Sequence, residues 1–359
     1  MRQKLHNLKE WYETYERPIS TGSLLFGFIF DSLTLQRIDS LLDNLWFLTN
    51  LLVAAICIIF LNKVKHGGHD EWKHFWLINV LQFSFGALLG GFFIFYFRSS
   101  ALATAWPFLL IILLAMVANE LFQKRYARLA FQLSFFYLAV FSFAIYLLPL
   151  AFHRLGALIF ILSGIVSLGV MWFFLKVLNG FLKEKFLENK THIWSFIGII
   201  FVGVNVLYFT NLIPPIPLAL KDIDVYHSII KNADGDYVVR GEGKGFMDYL
   251  RFHERVHWSA GSPLYAYSAI FAPGAFNTEV VHEWQYKNSN GGWTVSTRIP
   301  ISISGGRDDG FRTYSTKYNL SSGLWRVNVE TPRGQLLGRK TFEIIVSEGE
   351  PVLETEVKK

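Results

Sequence analysis

A single cysteine, Cys57, in 359 residues leaves no intrachain disulfide and no CxxC metal or redox motif. Any part of the chain outside the cytoplasm must therefore hold together without covalent staples. Charge is scarce as well, since Asp, Glu, Lys and Arg supply 17% of residues where a soluble domain has roughly a quarter. Missing too are a P-loop, a Gly-rich dinucleotide fingerprint and a Ser-His-Asp arrangement, so no cofactor is expected. The first eighteen residues carry seven charges and no signal-peptide core, which predicts a retained N-terminus. In excess is apolar surface: 52% hydrophobic and 17% aromatic residues, with 34 Phe and 11 Trp. That excludes a disordered or collagen-like chain and points to lipid.

Seven apolar runs approach the roughly 20 residues that cross about 30 Å of hydrocarbon as a helix. They cover 19–36, 43–62, 75–97, 101–118, 130–151, 155–178 and 193–213, and the first is short and contains Asp31. With the N-terminus in the cytoplasm, inside connections hold 14 Lys and Arg, while the outside ones before the last span hold only Arg37, Arg98 and Arg154. This is the positive-inside pattern, and it requires the first run to cross. Seven spans, 19–213, then leave everything beyond outside the cytoplasm. Leu5, Leu8, Trp11, Tyr12 and Tyr15 share one helical face, which reads residues 1–18 as an interfacial helix on the cytoplasmic leaflet, ended by Pro18.

A net charge of +6 and pI near 9.2 would suggest a nucleic-acid partner if one domain carried the surplus. Residues 1–221 hold 18 Lys and Arg against 11 Asp and Glu, and residues 222–359 hold 16 against 17. The surplus lies on cytoplasmic loops, where it sets orientation. No nucleic acid is expected, and the bilayer is the first half's partner.

Pro214, Pro215 and Pro217 end the last run and make 214–221 an extended linker. The apolar period then becomes two. Trp293, Val295, Thr297, Ile299, Ile301 and Ile303 alternate with polar residues, as do Trp325, Val327, Val329 and Phe342, Ile344, Val346. Asp234-Gly235 and Pro332-Arg333-Gly334 are turn signals. Eight or nine short strands over 222–349 predict an antiparallel immunoglobulin-like β-sandwich. The charged last ten residues, 350–359, read as a disordered tail.

His253-Glu254-Arg255-Val256-His257 matches the HExxH pattern of zinc hydrolases, which needs a helix so that both imidazoles meet one ion. Here the flanking residues alternate as in a strand, where residues four apart stand about 13 Å from each other. No metal is therefore expected, and a zinc metallohydrolase on His253, Glu254 and His257 stays as a minor alternative. The opposite strand face, Arg251, His253, Arg255 and His257, offers either a stripe for an anionic ligand or a solvated face paired with acids on a neighbouring strand. His282 sits on an apolar stripe with Val280, Trp284 and Tyr286 and reads as a hydrogen-bonded core histidine. Residues 66–74 cluster three His and two carboxylates in a Gly-bearing loop, read as solvated. Near the outer leaflet, Asp31, Arg37, Asp39, Arg98 and Arg154 form a candidate membrane polar cluster. The alternative is local pairing and snorkelling.

Ile270-Phe271-Ala272-Pro273-Gly274, His282-Glu283-Trp284, Gly305-Gly306-Arg307, Gly310-Phe311-Arg312-Thr313-Tyr314-Ser315, Gly323-Leu324-Trp325 and Gly334-Gln335-Leu336-Leu337-Gly338 occur in that order. This series, over roughly 250–347, resembles the bacterial family called domain of unknown function 2914. Phe30 to Leu35, with Arg37 and Asp39, is similar to the membrane halves that precede that domain. The resemblance implies a membrane-anchored envelope protein and supplies no activity or catalytic residues; with the span count and charge pattern the expected location is the bacterial inner membrane, with the C-terminal domain periplasmic or extracellular. The resulting expectation is a β-sandwich that binds an envelope glycan, lipid headgroup or protein, with no catalytic residue. Arg307, Arg312 and Tyr314, together with Arg251 and Arg255, are the candidate ligand contacts. The competing class is a transporter or channel capped by the β-domain.

Overall fold

A computed structural model describes residues 28–29, 31–35, 39–63, 71–121, 128–243, 253–274, 276–307, 309–347, 349 and 351–358. The expected interfacial helix 1–18, most of the 19–36 run, Arg37, the 66–70 loop and Arg251 lie outside the described residues. The chain divides into two compact units, a mainly helical one of Met1–Arg98, Trp106–Phe152 and Ala157–Thr210 and a β-rich one of Asn211–Lys359 with Ser99–Ala105 and His153–Gly156.

In the helical unit, α1 (Leu41–Lys63), α2 (Glu71–Arg98), α3 (Leu102–Leu121), α4 (Leu129–Phe152), α5 (Ala157–Phe181) and α6 (Lys183–Phe209) follow one another. These six helices among the described residues are long and apolar enough to cross a membrane. Helix α6 starts ten residues before the apolar run at 193, because Lys183 to Lys190 are strong helix formers that extend it. Helix α4 packs against α1, α2, α5 and α6 and is the most buried of the six. Its rings meet those of α1 and α2: Tyr146 lies 5.9 Å from Phe47, and Phe95 stacks on Tyr146 at 5.5 Å. Buried amides add the polar contacts that hold helices together in lipid. Asn62 donates to Gln132 at 2.7 Å, and Gln82 and Asn119 each donate to the other's backbone carbonyl at 3.3 and 3.1 Å.

The β-rich unit has three layers. Its strands are β1 (Ala219–Tyr226), β2 (Ser228–Lys231), β3 (Tyr237–Glu242), β4 (Glu254–Trp258), β5 (Leu264–Phe271), β6 (Asn277–Lys287), β7 (Trp293–Ser304), β8 (Phe311–Lys317), β9 (Gly323–Glu330), β10 (Leu336–Val346) and β11 (Leu353–Lys358). One sheet has the order β1-β5-β8, the second β4-β10-β9-β6-β7, and the third β11-β3-β2. The first strand begins at Ala219, inside the stretch expected to be a linker.

The first two sheets face each other through Val225, Leu264 and Ala266 on one side and Trp284, Trp325, Val327, Phe342 and Ile344 on the other. Between them runs a buried polar chain. His282 lies between the hydroxyls of Ser268 at 2.8 Å and Ser315 at 2.9 Å, and Trp284 Nε1 donates to Ser315 at 3.0 Å. Burial pushes His282 down to about 4, so it stays neutral and satisfied near pH 7.

The third sheet covers the outward side of β1-β5-β8 with Ile229, Tyr237 and Val239 against Tyr226, Tyr267 and Ala269. The end of the chain corrects the expectation of a disordered tail. Leu353–Lys358 is a strand in full register with β3, and its charges have partners within the domain. Lys358 pairs with Asp222 and Glu356, both at 3.0 Å, and its carbonyl accepts from Arg312 at 2.7 Å. Arg312 also pairs with Asp236 at 3.0 Å, and Tyr237 donates to the Arg312 carbonyl at 3.2 Å.

These ties set the stability of the domain in two measurable ways. Arg312→Ala leaves Asp236 without its cation and should cost about 2 kcal/mol, at the low side for a buried pair because Asp236 keeps water contact. The measurement is thermal unfolding of the detergent-solubilised chain, and an unchanged midpoint would contradict the tie. His282 has a folded pKa below the unfolded one, so its contribution is intact above about pH 6.5 and is lost as pH falls toward 4. The loss amounts to ~3 kcal/mol, and His282→Gln should be less stable at pH 7 yet lose that pH dependence relative to wild type. Parallel pH profiles for the two proteins would refute this account.

Candidate functional site

The face of β4-β10-β9-β6-β7 that turns away from the core carries the most unusual chemistry in the domain. Period-two alternation puts Trp284, Val327 and Phe342 inward, so Glu283, Gln285, Arg326, Asn328, Glu330 and Arg339 must point outward. Strand pairing then sets four of these faces in one row. Arg298 on β7 is opposite Glu283 on β6, Glu283 opposite Asn328 on β9, and Asn328 opposite Arg339 on β10. Directly opposed side chains on one face are the contacts that dominate a sheet surface.

The carboxylates and amides of this face are buried, Glu283 to 5%, Glu330 to 6%, Gln285 to 7% and Asn328 to 4% exposure. Such groups persist only when hydrogen-bonded, and these are. Arg298 reaches Glu283 at 3.3 Å and Glu330 at 2.8 Å. The Gln285 amide donates to Glu283, and Asn328 donates to the same oxygen at 3.4 Å. Two further guanidiniums bind neutral oxygens instead: Arg326 Nε donates to Gln285 at 2.6 Å, and Arg339 Nε donates to Asn328 at 2.6 Å. The Arg326 guanidinium lies over the Trp293 ring, 4.2 Å from its centroid.

Burial, and then the nearby Glu283, push the Glu330 carboxyl up to about 7. Burial, and then the Arg339 charge, pull Arg326 down to about 10. Arg339 is likewise lowered by burial. The face therefore holds a glutamate that titrates near neutrality and two like charges at close quarters, a combination more common at functional sites than on passive surfaces.

The residues singled out from the sequence lie elsewhere. Arg312 pairs with Asp236 and donates to the Lys358 carbonyl. Arg307 is exposed beside Gly305 and Gly306, and Tyr314 is 38% exposed, with its ring 6.0 Å from Tyr237 and 5.9 Å from Tyr265. The glycines of that segment serve the backbone. A Cβ on Gly305 would sit 1.7 Å from the Pro273 carbonyl oxygen, and Gly310 has φ +93°.

The HExxH residues do not converge. Glu254–Trp258 is a strand parallel to β10, and Glu254 pairs with Lys340 rather than facing either histidine as a base would. Arg255 pairs with Glu343 on the neighbouring strand at 3.4 Å, and His257 contacts Glu242 at 2.6 Å. His227 approaches the other oxygen of Glu242 at 3.0 Å. Burial raises the Glu242 carboxyl, but the hydrogen bonds from His227 and His257 outweigh it and hold it below its ordinary value. No group of three His, Cys, Asp or Glu side chains suited to a metal occurs among the described residues.

In the helical unit, Arg98 donates to the carbonyls of Leu35 and Ser32, the latter at 2.7 Å, and so closes the C-terminal end of the short helical segment at 31–34. The Asp31 carboxylate points toward Gly90, where a Cβ would lie 3.7 Å from it. Arg154 is exposed. Arg98 thus satisfies backbone carbonyls, and it also interacts electrostatically with Asp43.

No curated protein matches the chain. Among solved structures, an immunoglobulin-like protein from Pseudomonas aeruginosa aligns at 10% identity over 36% of this chain and 96% of its own, with a TM-score of 0.21. A β-glucosidase from Listeria innocua aligns at 12% identity over 36% of this chain and 16% of its own, TM-score 0.19. An alkylpurine DNA glycosylase from Pseudomonas fluorescens aligns at 12% identity over 85% of this chain and 100% of its own, TM-score 0.22. At these scores the alignments carry no argument. Residues 277–344 match the model of the family described as Protein of unknown function (DUF2914), and this segment contains every member of the polar face, from Glu283 to Arg339.

Proposed function

We propose that this chain is a seven-span protein of the bacterial inner membrane whose C-terminal domain stands outside the cytoplasm and binds an envelope component through the polar face of its five-stranded sheet. The orientation is supported by the 14 to 3 distribution of Lys and Arg over the connections, together with six apolar helices among the described residues. The immunoglobulin-like reading is supported by strand order: β1-β5-β8 corresponds to strands A, B and E, and β10-β9-β6-β7 to G, F, C and C′. Trp284 then occupies the place of the buried Trp on strand C.

The observation that carries the binding reading is the row Arg298, Glu283, Asn328, Arg339. Four polar side chains from four strands converge on one strip, and Arg339 in it and Arg326 beside it donate to amide oxygens without forming an ion pair among the described residues. A passive outer face would place such residues apart in water, where each is solvated at no structural cost. Fold alone does not name a function, so the reading rests on these side chains.

Two measurements test it in cells. In a Cys57→Ser background, a cysteine at Asn290 should react with a membrane-impermeant maleimide without lysis, whereas labelling only after lysis would overturn the orientation. A photo-crosslinking residue at Thr341 or Val295, which flank Arg326 and Gln285 in register, should capture an envelope component. The same residue at exposed Ile230 on β2 should not. Equal capture from all three positions would remove the sheet face as the binding surface.

A further inference from the structure

The charges on the polar face are unevenly matched. Glu283 and Glu330 share one cation, because Arg298 contacts both. Arg326 and Arg339 each bind a neutral amide oxygen through Nε alone, and neither makes an ion pair among the described residues. Three arginines against two glutamates leave a surplus of one positive charge at Arg326 and Arg339. These two stand on adjacent strands, Arg326 opposite Thr341 and Arg339 opposite Asn328, so they are diagonal neighbours on one face. Like charges placed so close destabilise a sheet. A sequence keeps such a local violation where a site requires it.

The geometry defines what would relieve it. With each Nε turned to Gln285 or Asn328, the terminal nitrogens of both guanidiniums remain for an outside acceptor. A planar guanidinium edge fits an oxyanion by two parallel hydrogen bonds, and the amide anchors fix its orientation in advance. The surplus of one charge suits a monoanion. A dianion would face the repulsion of Glu283 and Glu330. Next to the arginines lie an indole, Trp293, and two side-chain amides, the surroundings that pack against a sugar ring and hydrogen-bond its hydroxyls.

We infer that Arg326 and Arg339 form a site for the carboxylate of an acidic glycan, with Trp293 flanking the sugar. This rests on the reading of the domain as a binding module and names its ligand class.

The probe is oligogalacturonate, titrated against the full-length protein in detergent by calorimetry, with Trp fluorescence as a second readout. Binding should be present for wild type, at least ten-fold weaker for Arg326→Gln and Arg339→Gln, and absent for the methyl-esterified probe. Arg326→Lys keeps the charge without the fork and should also bind less tightly. Arg240→Gln removes the same charge from an exposed position on β3 in the third sheet and should leave binding unchanged. Thermal melts confirm that each variant is folded. Equal binding of the esterified probe, equal loss in Arg240→Gln, or no binding by wild type would overturn the proposal. So would a poly-glutamate peptide that binds as tightly with the same arginine dependence, since the site would then lack sugar recognition. If crosslinks from Thr341 persist while oligogalacturonate fails, the binding-module reading stands and the glycan carboxylate falls. If no crosslink forms either, both fall.

Discussion

The β-domain depends on how its two larger sheets are pinned together without a disulfide. The only cysteine is buried in α1, so covalent closure is not available to this domain. Trp284 takes that role by size and by bonding. It fills the space between the sheets with Val327 and Phe342, and its indole N–H is tied to Ser315, which with Ser268 holds His282. Truncating such a side chain in a core costs about 3–5 kcal/mol, comparable to the roughly 2–5 kcal/mol that a native disulfide supplies in a small secreted domain. Its hydrogen bond to Ser315 also fixes which hydroxyl faces which ring, so the sheets meet in one register.

That pin determines where the outer face can exist. Trp284 and His282 occupy adjacent inward-pointing sites around Glu283, so Glu283 is forced outward at the middle of β6. With β7 and β9 paired on either side, Arg298 and Asn328 are brought level with it. The row is a consequence of register, and register is a consequence of the buried face.

Strand period is readable in the sequence, because Trp325, Val327 and Val329 mark the inward side without ambiguity. Their alternates, Arg326, Asn328 and Glu330, look like an ordinary solvated face, since one strand cannot reveal what its neighbours place beside it. Only pairing shows that Asn328 lies between Glu283 and Arg339. The surroundings of Arg312 are hidden for a related reason. Its position on β8 faces away from the sandwich, which implies solvent in a two-layer domain, but the third sheet covers that side. The third sheet itself is hidden by charge. Glu354, Glu356 and Lys358 suggest disorder, yet they alternate with Leu353, Thr355 and Val357, and charged side chains are the usual protection of an edge strand. The long helices are legible because each is apolar on nearly all sides, and an unbroken apolar run of that length has no place on a water-facing surface.

Net charge conceals all of this. Residues 222–359 are nearly neutral, which at the level of composition argues against any electrostatic partner. Neutrality of the sum does not require neutrality of a face. Several acids elsewhere in the domain are already matched: Asp222 with Lys358, Asp224 and Glu254 with Lys340, Asp236 with Arg312, and Glu242 with two histidines. Each pairing removes a carboxylate from the count available to Arg326 and Arg339. On the sheet face, Glu283 and Glu330 are turned to Arg298, and the raised pKa of Glu330 weakens its negative charge near neutral pH. The internal bonding that stabilises the domain therefore leaves Arg339 and its neighbour Arg326 hydrogen-bonded to amides and outside any ion pair among the described residues, at the strip where four strands align their polar side chains.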